Sequence, residues 1–156
     1  MGPALKYCGI TKVDSLIYAL KLGVGFVGFN FYQESKRFID PAAAASIWKA
    51  AVEQFPSVSS TPVAVCVDMD NQAVRELLEE FPQIEIIQCH GSESPTRLDE
   101  IRELAGDRKI WKAIHVIELN DLVQIKDYFA AADLLLYDTK AIDQGIQVEL
   151  GGTGQR

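Results

Sequence analysis

Only two histidines and three cysteines occur in the chain, and it contains no CxxC pair. The cysteines, Cys8, Cys66 and Cys89, are odd in number and widely spaced, which excludes a disulfide framework and fits a reducing compartment. No His, Cys and carboxylate set has metal-ligand spacing, so the sequence predicts no metal site. Apolar runs such as Leu134–Leu136 are far too short to cross a bilayer, and the first residues, MGPALKYCGIT, lack the apolar core of a secretory signal. The Met-Gly start has no Ser or Thr where a myristoylation signal needs one. Basic runs are missing too. Fifteen Lys and Arg stand against 22 Asp and Glu, a net charge of −7, which argues against a nucleic-acid partner. A small anionic substrate remains compatible, because one arginine or a ring of N–H groups can hold a phosphate. The expectation is a cytoplasmic, acidic protein with no nucleic-acid or membrane partner.

What is present is an alternation. Leu5–Cys8, Phe26–Phe31, Pro62–Val67, Ile84–Cys89, Ile110–Val116 and Leu134–Tyr137 are short apolar runs without in-out alternation, the pattern of strands buried on both faces. Amphipathic stretches separate them. Val13, Leu16, Ile17 and Leu20 share one helical face, as do Val74, Leu77, Leu78 and Phe81. Asp40-Pro41 opens the helix Ala42–Gln54, Asn71 caps the third helix, and Ser94-Pro95 opens the fourth. Gly23 and Gly106 stop helices one and four. A fifth, weaker helix spans Asp121–Ala131, with Leu122, Ile125 and Phe129 on one face. Repeated βα units imply a parallel sheet, either doubly wound or closed as a (βα)₈ barrel, in one domain over residues 1–156. A whole barrel needs about 200 residues or more.

The G-x-G-x-x-G of Gly23–Gly28 is not a dinucleotide site. That motif follows a strand and opens a helix, whereas here a helix ends and a strand begins. Strand-end residues are the better candidates, because the C-terminal ends of parallel strands form the active face. Cys8 ends strand one and is either a reactive thiol or a small buried hydrophobe. Asp138 follows strand six and is either a partly desolvated general acid or a loop cap. Arg37, in the loop after strand two, can grip a carboxylate. Gln88 and His90 close strand four, and Gly151, Gly152, Thr153 and Gly154 can offer N–H groups to a phosphate. His115, inside strand five, reads as a core histidine with a satisfied hydrogen bond.

Seven stretches carry a family resemblance in order: KYCGIT (6–11), GFVGFNFYQESKRFI (25–39), PVAVCVD (62–68), IIQCHGSES (86–94), WKAI (111–114), LLLYDTK (134–140) and GGTG (151–154). The chain resembles the phosphoribosylanthranilate isomerases of tryptophan biosynthesis. The resemblance implies about the first six strands of a parallel (βα)₈ barrel. It also implies a cofactor-free Amadori rearrangement of a small phosphorylated substrate, by a monomer or homodimer. By motif, Cys8 matches the general base, Asp138 the general acid and Arg37 the arginine near the anthranilate carboxylate. Gln88 and His90 line the mouth, and Gly151–Gly154 belong to the phosphate end. Three positions depart from the family pattern: Lys36 replaces a proline and is expected to loosen Arg37, Cys89 replaces a leucine, and Asp68 replaces an asparagine.

The family continues beyond Arg156 with a helix and two further βα units, so strands one and six are expected to be exposed edges. Alone, residues 1–156 are expected to be inactive or very poor. Two other readings stand beside the isomerase: a complementation-dependent barrel fragment, and another phosphosugar-binding barrel enzyme.

Overall fold

The computed structural model describes residues 4–57, 59–116 and 119–138. Strands β1 (Lys6–Cys8), β2 (Phe26–Asn30), β3 (Thr61–Cys66), β4 (Ile86–Cys89), β5 (Lys109–His115) and β6 (Leu134–Asp138) alternate with helices α1 (Val13–Lys21), α2 (Pro41–Gln54), α3 (Asn71–Glu80) and α4 (Pro95–Ala105). A 3-10 helix, Leu119–Tyr128, joins β5 to β6. All strand pairs are parallel and the sheet order is β1-β2-β3-β4-β5-β6. A doubly wound sheet reverses its strand order and covers both faces with helices. Here the order never reverses, and α1–α4 pack through Leu16, Trp48, Leu77 and Leu98 on the single face that carries Val27, Phe29, Ala64 and Ile87. This is the βα-barrel solution, with about six of the eight strands.

The other face holds Val63, Ile86 and Trp111, with Phe26 and Leu136 against them. Phe26 and Trp111 meet edge to face at 4.9 Å. On the helix side Phe29 meets Phe81 at 5.3 Å in the same way. Because both faces are filled, strand residues are apolar at odd and even positions alike, which explains the missing alternation. No helix among the described residues is long and apolar enough to cross a membrane.

Most of the expected punctuation is present. Asp40 Oδ1 accepts from the Ala42 and Ala43 N–H groups ahead of Pro41, and Ser94 Oγ accepts from Arg97 N–H. Gly23 and Gly106 have left-handed φ values of 67° and 63° just after helices α1 and α4. Two expectations need correction. Asp70, not Asn71, caps α3, its carboxylate accepting from Ala73 N–H at 2.8 Å. Its ionised oxygen wins over the neighbouring amide because it meets the positive end of the helix dipole.

The fifth helix is 3-10 rather than α. Asn120, Asp121, Val123 and Ile125 are weak α-formers. Three residues per turn align Ile125 with Tyr128 instead of Phe129. Accordingly Ile125 is buried and Tyr128 O–H donates to the Glu93 carbonyl, while Phe129 is 67 % exposed. The side chain of Leu122 lies outside the described residues.

Candidate active site

Alternation along each strand sends Lys6 and Cys8 of β1, Gln88 of β4, His115 of β5 and Asp138 of β6 to the face that carries Trp111, with His90 following in the same phase. The chemistry-bearing side chains gather at the C-terminal ends of the strands. A cavity of about 640 Å³ opens at the opposite end, lined by strand-start residues such as Thr61, Glu85 and Lys109. Strand starts are the stability side of such folds, so this cavity is not the centre of the chemistry.

The first group surrounds Cys8. The thiol is exposed, and Cys8 lies opposite Gly28 in the β1–β2 ladder. A Cβ on Gly28 would lie only 2.7 Å from Cys8 Sγ, so the glycine creates the space that the sulfur fills. Lys6 Nζ donates to Gln88 Oε1 and lies 5.6 Å from the centre of the Trp111 ring. Burial lowers the Lys6 pKa, and attraction to Cys8 opposes that shift. A lysine ammonium beside a sulfur supplies the charge that a thiolate needs. Gln88, 5 % exposed, holds that ammonium in place.

Arg37 lies over the end of β1. Any side chain on Gly9, whose φ is 83°, would run into the Arg37 side chain. The loop that carries Arg37 is tied by its own N–H to Ser35 Oγ, by Asn30 Nδ2 to the same oxygen, and by Phe38 N–H to the Ser35 carbonyl. With Lys36 at the family's proline position, these bonds hold the loop.

The second group surrounds Asp138. Its Oδ2 lies 3.2 Å from His90 Nε2 and 3.9 Å from His115 Nδ1. The two imidazoles stack at 5.4 Å with 22° between their planes. The Asp138 side chain remains 45 % exposed, open to a ligand. His115 is therefore a correction. It lies at the strand end beside the candidate acid and is half-buried, not a core residue. The structure gives its direction: it shares the phase of Trp111 and ends β5 directly opposite Asp138.

Under the mouth, Lys112 and Glu93 form a buried ion pair at 2.9 Å. Lys112 also donates to the Gly91 carbonyl, and Glu93 accepts from the N–H groups of Asp68 and Gly91. Asp68, at left-handed φ 47°, accepts from Ser92 N–H and O–H. Asn and Asp tolerate that conformation better than other side chains. The Asp68 departure thus keeps the backbone geometry and fastens the loop after β4. Cys89 faces the helix layer and is fully buried, outside the site.

Of the sequence candidates, His90 and Asp138 touch, and Gln88 accepts from Lys6, whose charge attracts Cys8. Cys8 and Asp138 stand on the two outer strands of the six-strand order. Gly151, Gly152, Thr153 and Gly154 lie outside the described residues. Lys6 and His115 escaped the sequence reading as site residues.

Residues 5–156 match the family model of N-(5'phosphoribosyl)anthranilate (PRA) isomerase. An N-(5'-phosphoribosyl)anthranilate isomerase of Agrobacterium fabrum is 37 % identical over 141 residues, covering 90 % of this chain and 61 % of that protein. Among solved structures, the phosphoribosyl anthranilate isomerase of Thermus thermophilus superposes with a TM-score of 0.74 at 28 % identity, covering 92 % of this chain and 66 % of that one. A phosphoribosyl anthranilate isomerase in complex with reduced 1-(o-carboxyphenylamino)-1-deoxyribulose 5-phosphate gives 0.72 at 27 % identity, covering 88 % and 66 %. The chain spans less than two thirds of the length of the Agrobacterium protein. Matched along nearly its whole length by the family model, and sharing the parallel barrel arrangement of the solved members, the chain belongs to the N-(5'-phosphoribosyl)anthranilate isomerase family.

Proposed function

We propose that this chain supplies the acid and base of an isomerase in tryptophan biosynthesis. The reaction is the Amadori rearrangement of N-(5-phosphoribosyl)anthranilate to 1-(2-carboxyphenylamino)-1-deoxyribulose 5-phosphate, without a cofactor. Asp138 protonates the ribose ring oxygen, and the ring opens to an iminium. Cys8, as thiolate beside the Lys6 ammonium, removes the C2 proton. The resulting enolamine tautomerises to the ketone. Arg37 holds the anthranilate carboxylate, Gln88 and His90 line the mouth, and Gly151–Gly154 serve the phosphate. The working form is a soluble monomer or homodimer in the cytoplasm.

The observation that carries this reading is the pairing of a thiol and a carboxylate at the C-terminal ends of β1 and β6, both on the barrel-facing side. Acid and base placed on opposite sides of one small substrate suit a proton donated at one atom and removed at another. The test is turnover of N-(5-phosphoribosyl)anthranilate by these residues joined to the remaining βα units of a family member, and by the Cys8→Ser and Asp138→Asn variants of that protein, with substrate and product separated by chromatography. Each variant is expected to lose about 10²–10⁴-fold in kcat. Near-normal turnover in both would overturn the assignment.

A further inference from the structure

Three donor atoms at the strand ends converge on one point. Asp138 Oδ2 lies 3.2 Å from His90 Nε2 and 3.9 Å from His115 Nδ1, and all three atoms fall within 4.8 Å of one another. From this convergence we infer that His90, His115 and Asp138 form a binding site for a divalent transition-metal ion of the zinc class. The site goes beyond the isomerase reading, and the occupied form opposes it.

The donor set and its spacing carry the inference. Two imidazole nitrogens and one carboxylate oxygen suit Zn²⁺ and Co²⁺ far better than Ca²⁺ or Mg²⁺, which favour all-oxygen shells. Metal–ligand distances of about 2.0–2.2 Å put tetrahedral donor pairs about 3.3–3.5 Å apart. The His90–Asp138 pair is already at that spacing, and the His115–Asp138 pair needs to close by about half an ångström. The backbone holds the donors in place. His115 and Asp138 are direct partners in the β5–β6 ladder, and the His90 N–H donates to the Cys66 carbonyl at 2.8 Å. All three side chains are part-exposed, which leaves room for a fourth ligand from solvent. Two neutral imidazoles and one carboxylate carry a single negative charge, enough to favour a dication. The nearby Lys112 ammonium is held by Glu93 and the Gly91 carbonyl. Sequence spacing hides this set, because its members come from three different strand ends.

An ion bound there fixes Asp138 as a ligating carboxylate, so it cannot donate a proton, and the site acts as a reversible metal block at the mouth. The test is binding and needs no turnover, so failure of the isomerase reading leaves it intact. The full chain is titrated with Co²⁺ while its visible d–d absorption is followed, and Zn²⁺ is then added as competitor. One saturable site is expected, displaced by Zn²⁺ and retained in Cys8→Ser. In His115→Asn the affinity should fall by about tenfold or more, the order seen when a metal site loses a supporting group. His90→Asn provides the same readout should His115→Asn fail to fold, with circular dichroism as the check on folding. The inference is overturned by the absence of saturable binding at submillimolar Co²⁺. Unchanged affinity in a folded His115 or His90 variant overturns it too, as does loss of the site in Cys8→Ser.

Discussion

Cys8 Sγ occupies the volume that a side chain at Gly28 would need, with a Cβ there only 2.7 Å from the sulfur. The Cys8 Cα and Cβ atoms would be 3.4 Å away, close to ordinary contact. Relief in Gly28→Ala therefore comes from turning the thiol and not from parting the strands. We expect kcat to fall about 10²-fold, since misplacing a reacting group by about 1 Å costs that much. Stability should fall by only about 1–3 kcal/mol. Steady-state kinetics together with urea unfolding checks the split. A large loss of stability with kcat preserved would contradict it.

Lys6 is half-buried, lies over the Trp111 ring and donates to Gln88, with Cys8 two residues on in the same strand phase. Lys6→Met keeps the length and removes the charge. Turnover should drop by about tenfold or more, because the thiolate loses its neighbouring cation. Stability has a characteristic pH signature. Burial holds the Lys6 pKa below its ordinary 10.5 in the fold, so the unfolded chain binds more protons between those two values. The penalty is full below the folded pKa and is relieved as pH rises through it towards 10.5. Wild type should therefore gain stability relative to Lys6→Met across that alkaline window, measured by urea midpoints at a series of pH values.

The three thiols should separate cleanly on alkylation. Cys8 is exposed, whereas Cys66 and Cys89 are buried in the helix layer. Burial pushes Cys89 up to about 12, with the charge of Glu93 adding to it, and raises Cys66 well above the ordinary range. At pH 8 a thiol with a pKa of 12 is about one part in 10⁴ thiolate. Native protein should take up one iodoacetamide, and protein in guanidinium should take up three. A second label on the native state, seen by intact mass, would contradict this arrangement.

The alternation of strands and helices and most helix ends could be read from the sequence because they rest on local chemistry. The residue pattern left a doubly wound sheet and a barrel both open, and the barrel came from the family resemblance. Asp40-Pro41, Ser94-Pro95, Gly23 and Gly106 act on their own neighbours. Cys8 and Asp138 were also visible, as a thiol and a carboxylate at the ends of apolar runs. His115 was not, because strand five is buried on both faces and its residues lack the alternation that would give its direction. Lys6 looked like an ordinary charged residue inside the first strand, and only the fold brings Gln88 and Trp111 to it. The 3-10 helix was misread because Ile125 can align with Phe129 or with Tyr128, and tertiary packing chose Tyr128.

The Glu93–Lys112 pair fastens the loops that carry His90 and Asp68, and both residues are almost fully buried at 4 % and 3 % exposure. Removing one partner leaves a buried charge uncompensated, which costs about 3–5 kcal/mol. The two single variants should not be equal. Lys112→Met leaves Glu93 accepting from Asp68 N–H at 2.9 Å and Gly91 N–H at 3.1 Å, so its charge keeps two donors. Glu93→Leu strands the Lys112 ammonium with the Gly91 carbonyl alone, and also orphans both N–H groups. Glu93→Leu should therefore lie at the upper end of that range and Lys112→Met at the lower. An apolar pair often matches a buried ion pair, yet here the double variant Glu93→Leu/Lys112→Met should stay below wild type by about 1–3 kcal/mol. The two backbone donors remain unpaired whatever replaces the charges. Urea unfolding with unchanged m-values measures all three. Full recovery in the double variant would show that the carboxylate matters only as a counter-charge and not as the acceptor that ties the loops.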